Sequence, residues 1–160
     1  YIYIGGGSFS MSVGDDGIHA VSLVQIDGGK FTVSAAECIE GTYIRINGGT
    51  FDLSSWDDGI NAAKKSSAYS TPTVEINGGT LNITMSAGDT DGIDSNGDII
   101  VNGGTVSVTG NSTFDYDGTA QFNGGTIYCN GQQVTQIPNQ MMGGGNMGGN
   151  GGRMGGRRRG

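Results

Sequence analysis

Cations are scarce in this chain. Only Lys30, Arg45, Lys64 and Lys65 oppose 15 acids across residues 1–140, a net charge of −11, and the other four, Arg153, Arg157, Arg158 and Arg159, fall in the last twenty residues. An acidic body of this kind excludes nucleic acid as the main partner, and a short basic tail does not reverse that. Apolar runs are short as well. None approaches the ~20 residues of a membrane span, so no span is expected. One histidine and two cysteines make no cluster of the type that holds zinc or copper. Hydrophobic residues are 34% of the 160, too few for an ordinary globular core. No secretory leader is present and the first residue is Tyr1, not Met, so a processed product or a fragment is expected.

Glycine, by contrast, is abundant, with 33 residues. Much of it sits in one phrase repeated six times: apolar, Asn or a substitute, Gly-Gly, usually Thr, then apolar-x-apolar. The copies are IGGGSF (4–9), IDGGKF (26–31), INGGTF (46–51), INGGTL (76–81), VNGGTV (101–106) and FNGGTI (122–127). A recurrence every 20 to 30 residues belongs to stacked supersecondary units. A solenoid of this kind needs little apolar volume, because each coil buries one narrow stack of side chains against its neighbours.

Each coil reads as strand, tight Asn-Gly-Gly corner, strand, looser turn and short third strand. Alternation predicts four inward columns. They are Ile4, Ile26, Ile46, Ile76, Val101, Phe122; Phe9, Phe31, Phe51, Leu81, Val106, Ile127; Met11, Val33, Leu53, Ile83, Val108, Cys129; and Ile18, Ile39, Ile60, Ile93, Phe114. Like residues at coil spacing mean parallel, in-register stacking. The predicted fold is therefore all-β, a right-handed parallel β-helix of about six coils over 1–131, with a Gly/Met/Arg-rich low-complexity tail over 132–160.

Gly and Asn tolerate positive φ at the corner, and Asn47, Asn77, Asn102 and Asn123 are expected to bond one another as an amide ladder. A phosphate-binding reading of the same glycines lacks the helix that should follow. Cys38 and Cys129 lie four coils apart, roughly 19 Å at the ~4.8 Å strand spacing, so they should be unpaired, with Cys129 a small buried hydrophobe. The longest interval between corners, Gly48 to Gly78, places a projecting insertion near residues 61–73, a favoured place for binding.

A second phrase precedes each third strand: GDDGI (14–18), AECI (36–39), WDDGI (56–60) and TDGID (90–94). Aligned on the Ile, Asp16, Glu37, Asp58 and Asp91 form one column on successive coils, flanked by Asp15, Asp57 and Asp94, with Asp115 a further candidate. Carboxylates ~4.8 Å apart repel by about 3–4 kcal/mol per pair at an effective dielectric of 20. Calcium is the natural compensation, since it takes six to eight oxygens from carboxylates and turn carbonyls. The alternative is that Asp-Gly makes Asx-type turns and the carboxylates splay into water.

The alternation of INGGT-h-x-h with DDGI-N/H-A resembles the clostridial family of secreted carbohydrate-binding β-helix proteins, which are similar in fold to pectate and other polysaccharide lyases. The resemblance covers roughly residues 1–130. DDGIHA (15–20) and DDGINA (57–62) match best, AECIEG (36–41) lacks one acid, and STFDYDG (112–118) lacks the motif. It implies calcium between coils and binding of cellulose or acidic plant polysaccharide at a bacterial surface, hence an extracellular or cell-surface location.

Three functions are compatible with these features. The first is noncatalytic polysaccharide binding. A polyuronate would be held through shared calcium, and a neutral glucan by exposed aromatics, with Trp56, Tyr69, Lys64 and Lys65 as the candidate contacts. Trp56 could equally plug its corner. The second is a calcium-dependent lyase using Lys64 or Lys65 as base beside Arg45, although Lys64-Lys65 reads more simply as a solvated loop. The third is a homopolymer. Tyr1–Ile4 begins a strand uncapped and the last coil ends near Gly131 before a tail that cannot cap it, so coils could stack end to end, with Arg157–Arg159 against a neighbour's acids.

Overall fold

Glycine pairs set the corner geometry of every coil. In the computed structural model, which describes residues 1–88 and 90–140, the second glycine of each pair has positive φ, from +84° at Gly104 to +122° at Gly29. That region costs glycine nothing. The corner asparagines stay out of it, so they serve through their side chains and not through backbone tolerance. Close approach requires the first glycine: a Cβ on Gly103 would lie 2.7 Å from the Asn77 carbonyl oxygen of the preceding coil.

All described regular structure is strand. Coil 1 holds β1 (Ile2–Ile4), β2 (Ser8–Ser12) and the start of β3 (Ile18–Ile26). Coil 2 takes the rest of β3, β4 (Lys30–Ala35) and the start of β5 (Ile39–Ile46). Coil 3 takes the rest of β5, β6 (Thr50–Ser55) and β7 (Asp58–Ala62). Coil 4 is β8 (Thr73–Ile76), β9 (Thr80–Met85) and β10 (Asp91–Ser95); coil 5 is β11 (Asp98–Val101), β12 (Thr105–Thr109) and β13 (Ser112–Tyr116). Coil 6 is β14 (Ala120–Phe122) and β15 (Thr126–Cys129), after which β16 (Gln132–Val134) turns back.

Stacking these coils produces three faces. The first contains β1, β8, β11, β14 and the second halves of β3 and β5. The third contains β7, β10, β13 and the first halves of β3 and β5, so hydrogen bonding joins these two into one forked sheet of nine strands. The second face is a separate sheet of seven, β2, β4, β6, β9, β12, β15 and β16. The result is a parallel β-solenoid of about six turns, as the repeats predict.

All four inward columns fall in the expected register: Ile46 sits opposite Ile26 and Ile76, Phe51 opposite Phe31 and Leu81, Leu53 opposite Val33 and Ile83, and Ile60 opposite Ile39 and Ile93. Their members in coils 3 and 4 are buried. Because the backbone dictates the spacing, Phe9, Phe31 and Phe51 stack face to face, with centroids 4.9 and 4.7 Å apart. Cys38 is buried and Cys129 is half-buried, the latter because coil 6 has no seventh coil over it among the described residues; both thiols are free. The amide ladder is present. Asn77, Asn102 and Asn123 each donate to the Oδ1 of the asparagine one coil earlier at 2.8, 2.7 and 2.8 Å, and Asn47 donates to Asp27 at 2.6 Å.

The C-terminal end differs from the expectation. Asn130 and Gly131 both take positive φ, +51° and +78°, the two-residue turn that matches strand twist in a hairpin. It folds β16 antiparallel onto β15, with Ile127 opposite Val134. Ile137 then enters the core. Finally the Thr113 N–H donates to Gln140 Oε1 at 2.7 Å while the Gln140 N–H donates to the Phe114 carbonyl at 2.9 Å. Residues 132–140 thus cover the end of the solenoid that the sequence leaves bare, and β16 occupies the β15 edge that end-to-end stacking would use. Arg157–Arg159 lie outside the described residues.

The glycine argument can be tested at one motif position in two coils. Gly103→Ala should destabilise by about 2 kcal/mol or more, because a backbone oxygen must shift. Gly6→Ala, whose Cβ would meet nothing within 4 Å, should stay within about 0.5 kcal/mol. Parallel thermal melts of the two variants decide the matter.

Candidate functional site

Acidic side chains reach the third face in two columns. Two positions before each third-strand Ile stand Asp16, Glu37, Asp58 and Asp91, and Asp91 pairs with Asp58 on one side and Ser112 on the other. One position after the Ile runs a second column, His19, Glu40, Asn61, Asp94 and Asp115. Of this second column the sequence reading took only Asp94 and Asp115. The signal was available, since the alignment that found the first column, read past the Ile, finds the second. Asp15 and Asp57 are exposed at the corner before the face.

Toward coil 1 the face neutralises itself. His19 Nδ1 lies 2.8 Å from an Asp16 oxygen and its Nε2 3.2 Å from a Glu40 oxygen, and Lys65 Nζ also contacts Glu40. Glu40 is only 2% exposed, and the Lys65 ammonium beside it is what makes its burial tolerable. One ligand atom from each of Asp16, His19 and Glu40 falls within 4.8 Å of the others. The Lys65 ammonium on Glu40 already supplies a positive charge at this cluster.

Toward coil 5 the balance fails. Among the described residues no cation forms an ion pair with Asp58, Asp91, Asp94 or Asp115. Burial first, and then repulsion from Asp94 and Asp57, pushes the Asp58 carboxyl up to about 7. Burial and the charges of Asp91 and Asp115 push Asp94 up to about 7 as well. Glu37, midway, rises to about 7 through burial and the nearby Glu40, and Asp115 shifts upward from the same kinds of cause. Several oxygens here have no hydrogen-bond partner: Oε2 of Glu37, Oδ1 of Asn61, Asp91 and Asp115, and Oγ of fully buried Ser112. The donor set between coils 3 and 5 is all oxygen.

Of the four residues expected to contact carbohydrate, Lys64 and Tyr69 meet within the insertion. Trp56 stands at the corner after β6, 46% exposed. Tyr69 packs on Tyr43 of the first face, ring centroids 4.9 Å apart. Lys64 Nζ donates to the carbonyls of Tyr69 and Ser70 at 2.5 and 2.8 Å, and Lys65 is the partner of Glu40. The insertion does not project freely: the N–H groups of Lys65 and Ser66 donate to Thr42 Oγ1 at 2.9 and 3.0 Å. Arg45 lies on the first face, bonded to Glu75 at 2.9 Å.

A family model described as carbohydrate-binding domain-containing protein matches residues 37–133, from the acidic corner of coil 2 to β16. No curated protein and no solved structure matches the chain. The matched span takes in the unneutralised half of the acidic face and well over half of the 160 residues. The chain belongs to this carbohydrate-binding domain-containing family.

Proposed function

We propose that this protein binds polysaccharide without cleaving it, outside the cell or at its surface, and that calcium on the third face links it to acidic sugar chains. One observation carries the reading: Asp58, Asp91, Asp94 and Asp115 crowd together without a cation among the described residues, beside unbonded oxygens on Asn61, Asp91, Ser112 and Asp115. Such a set of hard oxygen donors fits calcium, which would replace mutual repulsion by attraction. Asp58, Asn61, Asp91 and Asp94 would hold the ion, with Asp115 and Ser112 at one side. Asp15, Asp16, Glu37 and Asp57 extend the negative surface toward coil 1. Bound calcium supplies a positive centre that carboxylates of a polyuronate can share with the protein.

Binding fits better than cleavage. Elimination from a uronate needs a free base beside the ion, and Lys64 and Lys65 are both held in other bonds. The family description names binding and no reaction.

Two measurements test the calcium reading. Asp58, Asp94 and Glu37 hold their protons more firmly folded, near 7, than a carboxylate does unfolded, near ~4. Their stabilising contribution is complete below about pH 4 and is lost as pH rises through about 7. Ion-free protein should therefore melt at a lower temperature at pH 8 than at pH 5.5, and calcium should restore the loss at pH 8. A pH-insensitive melt with no calcium response would refute the site. In calorimetry, Asp94→Asn should weaken calcium binding about tenfold, in keeping with the loss of one charged ligand.

Calcium-loaded protein should also be retained by polygalacturonate gels and released by a chelator. Incubation should produce no ultraviolet absorbance of an unsaturated uronide. Appearance of that product, abolished in Lys65→Ala, would mean that the protein is a lyase.

A further inference from the structure

The second face has different chemistry. Its outward positions fall in three in-register columns beginning at Ser8, Ser10 and Ser12, and every one carries a hydroxyl apart from Lys30, Asp52, Asn82 and, on the terminal β16, Gln133. In the column beside the glycine corner, Thr50, Thr80 and Thr105 stand on three successive coils. Among the described residues these hydroxyls make no hydrogen bond within the chain. The Ser and Thr hydroxyl bonds among the described residues lie elsewhere, at Thr42, Ser55, Ser66, Thr73, Thr90, Ser95, Thr113 and Thr119. One lysine and one aspartate cancel, so a face of zero net charge sits on a body of net −11. Trp56, which follows Ser54 in the outward alternation of β6, adds an exposed aromatic at the rim.

We propose that this hydroxyl face docks the ordered surface of an uncharged polysaccharide, crystalline β-glucan being the simplest case. The inference rests on the carbohydrate-binding reading above and is independent of calcium. A hydroxyl donates one hydrogen bond and accepts two, so each position meets a sugar hydroxyl in either sense. Charged columns would have to shed water to meet a neutral surface, and this face bears that cost only at Lys30 and Asp52. Threonine methyls and the Trp56 ring offer apolar contact to sugar C–H groups. Each exchange of water for a sugar hydroxyl contributes little. Affinity must therefore come from many contacts made together, which the rigid grid of ~4.8 by ~6.7 Å supplies at small ordering cost. That requirement selects an extended, regular ligand over a single soluble sugar.

Depletion of the full chain onto microcrystalline cellulose, in the presence of a chelator, tests the proposal. Thr80→Lys combined with Thr105→Glu places an opposite-charge pair across adjacent strands, which the sheet tolerates. It should cut the partition coefficient about tenfold through desolvation. Thr80→Ser with Thr105→Ser should bind within about twofold of the unmodified protein, because the hydroxyls remain, and Trp56→Ala should bind more weakly. All variants should keep calcium-dependent retention on polygalacturonate, which shows that they are folded. If the charged pair binds cellulose like the unmodified protein, the face is not the docking surface. Unmodified protein that binds polygalacturonate but not cellulose overturns this inference and leaves the proposed function standing; retention by neither overturns both. Second-neighbour oxygens in hydrogen-bonded water lie ~4.5 Å apart, so suppression of ice recrystallisation without affinity for cellulose would assign the lattice to water and overturn the proposal too.

Discussion

In-register parallel stacking is the constraint on which everything else in this molecule depends. At a repeat of ~4.8 Å it places each side chain on its own counterpart, and the consequence depends on whether that chemistry tolerates itself. Amides do, since each holds a donor and an acceptor, and Asn47, Asn77, Asn102 and Asn123 link at 2.7–2.8 Å. Phenyl rings accept it: the Phe9, Phe31 and Phe51 rings lie within 6° of parallel, in a stack that free rings would offset. Carboxylates do not. The acidic columns are the one place where the repeat works against the fold, and for that reason they are where an external ion has most to contribute.

The sequence made the columns legible because inward alternation and glycine spacing are local signals repeated six times. Where the outcome depended on a single occurrence, it was harder to see. Asn130-Gly131 is a strong hairpin dipeptide, yet it follows six Gly-Gly corners of another kind and precedes a glycine-rich tail, so its reversal of direction was masked. The burial of Ile137 follows only once that reversal is known. The pairing of Lys65 with Glu40 required knowing that the insertion folds back onto coil 2. No periodicity encodes that, because it happens once. The corner asparagines show the opposite case: the ladder was foreseen, while the conformational duty belongs to the glycines alone.

Three faces built from one repeat differ only in what the outward positions carry. The first face holds Arg45, Glu75 and Tyr43 in mutual contact, so its polar groups are used internally. The third accumulates charge that is neutralised toward coil 1 and left unbalanced toward coil 5. The second presents hydroxyls with no internal partner. Carbohydrate recognition uses dispersed polar contacts to a repeating ligand, and a solenoid supplies the matching repetition without loops. This arrangement also separates a charged from a neutral surface on one rigid body, which a small globular domain with one cleft does not offer.

The amide ladder also has a direction. Every Nδ2 points toward coil 1, and the series ends on the Asp27 carboxylate, which has no hydrogen to pass on. Bonds from Asn47, then from Tyr3 and Gln25, hold that carboxyl below its usual range, so the chain of aligned dipoles terminates on a fixed negative charge, like an anion at the amino end of a helix. The opposite terminus, at Asn123, exposes a carbonyl oxygen. The row of side chains is thus polar as a filament is polar, with a sealed end and an accepting one, and the hairpin of β16 closes the molecule at the end where the row could otherwise accept another amide.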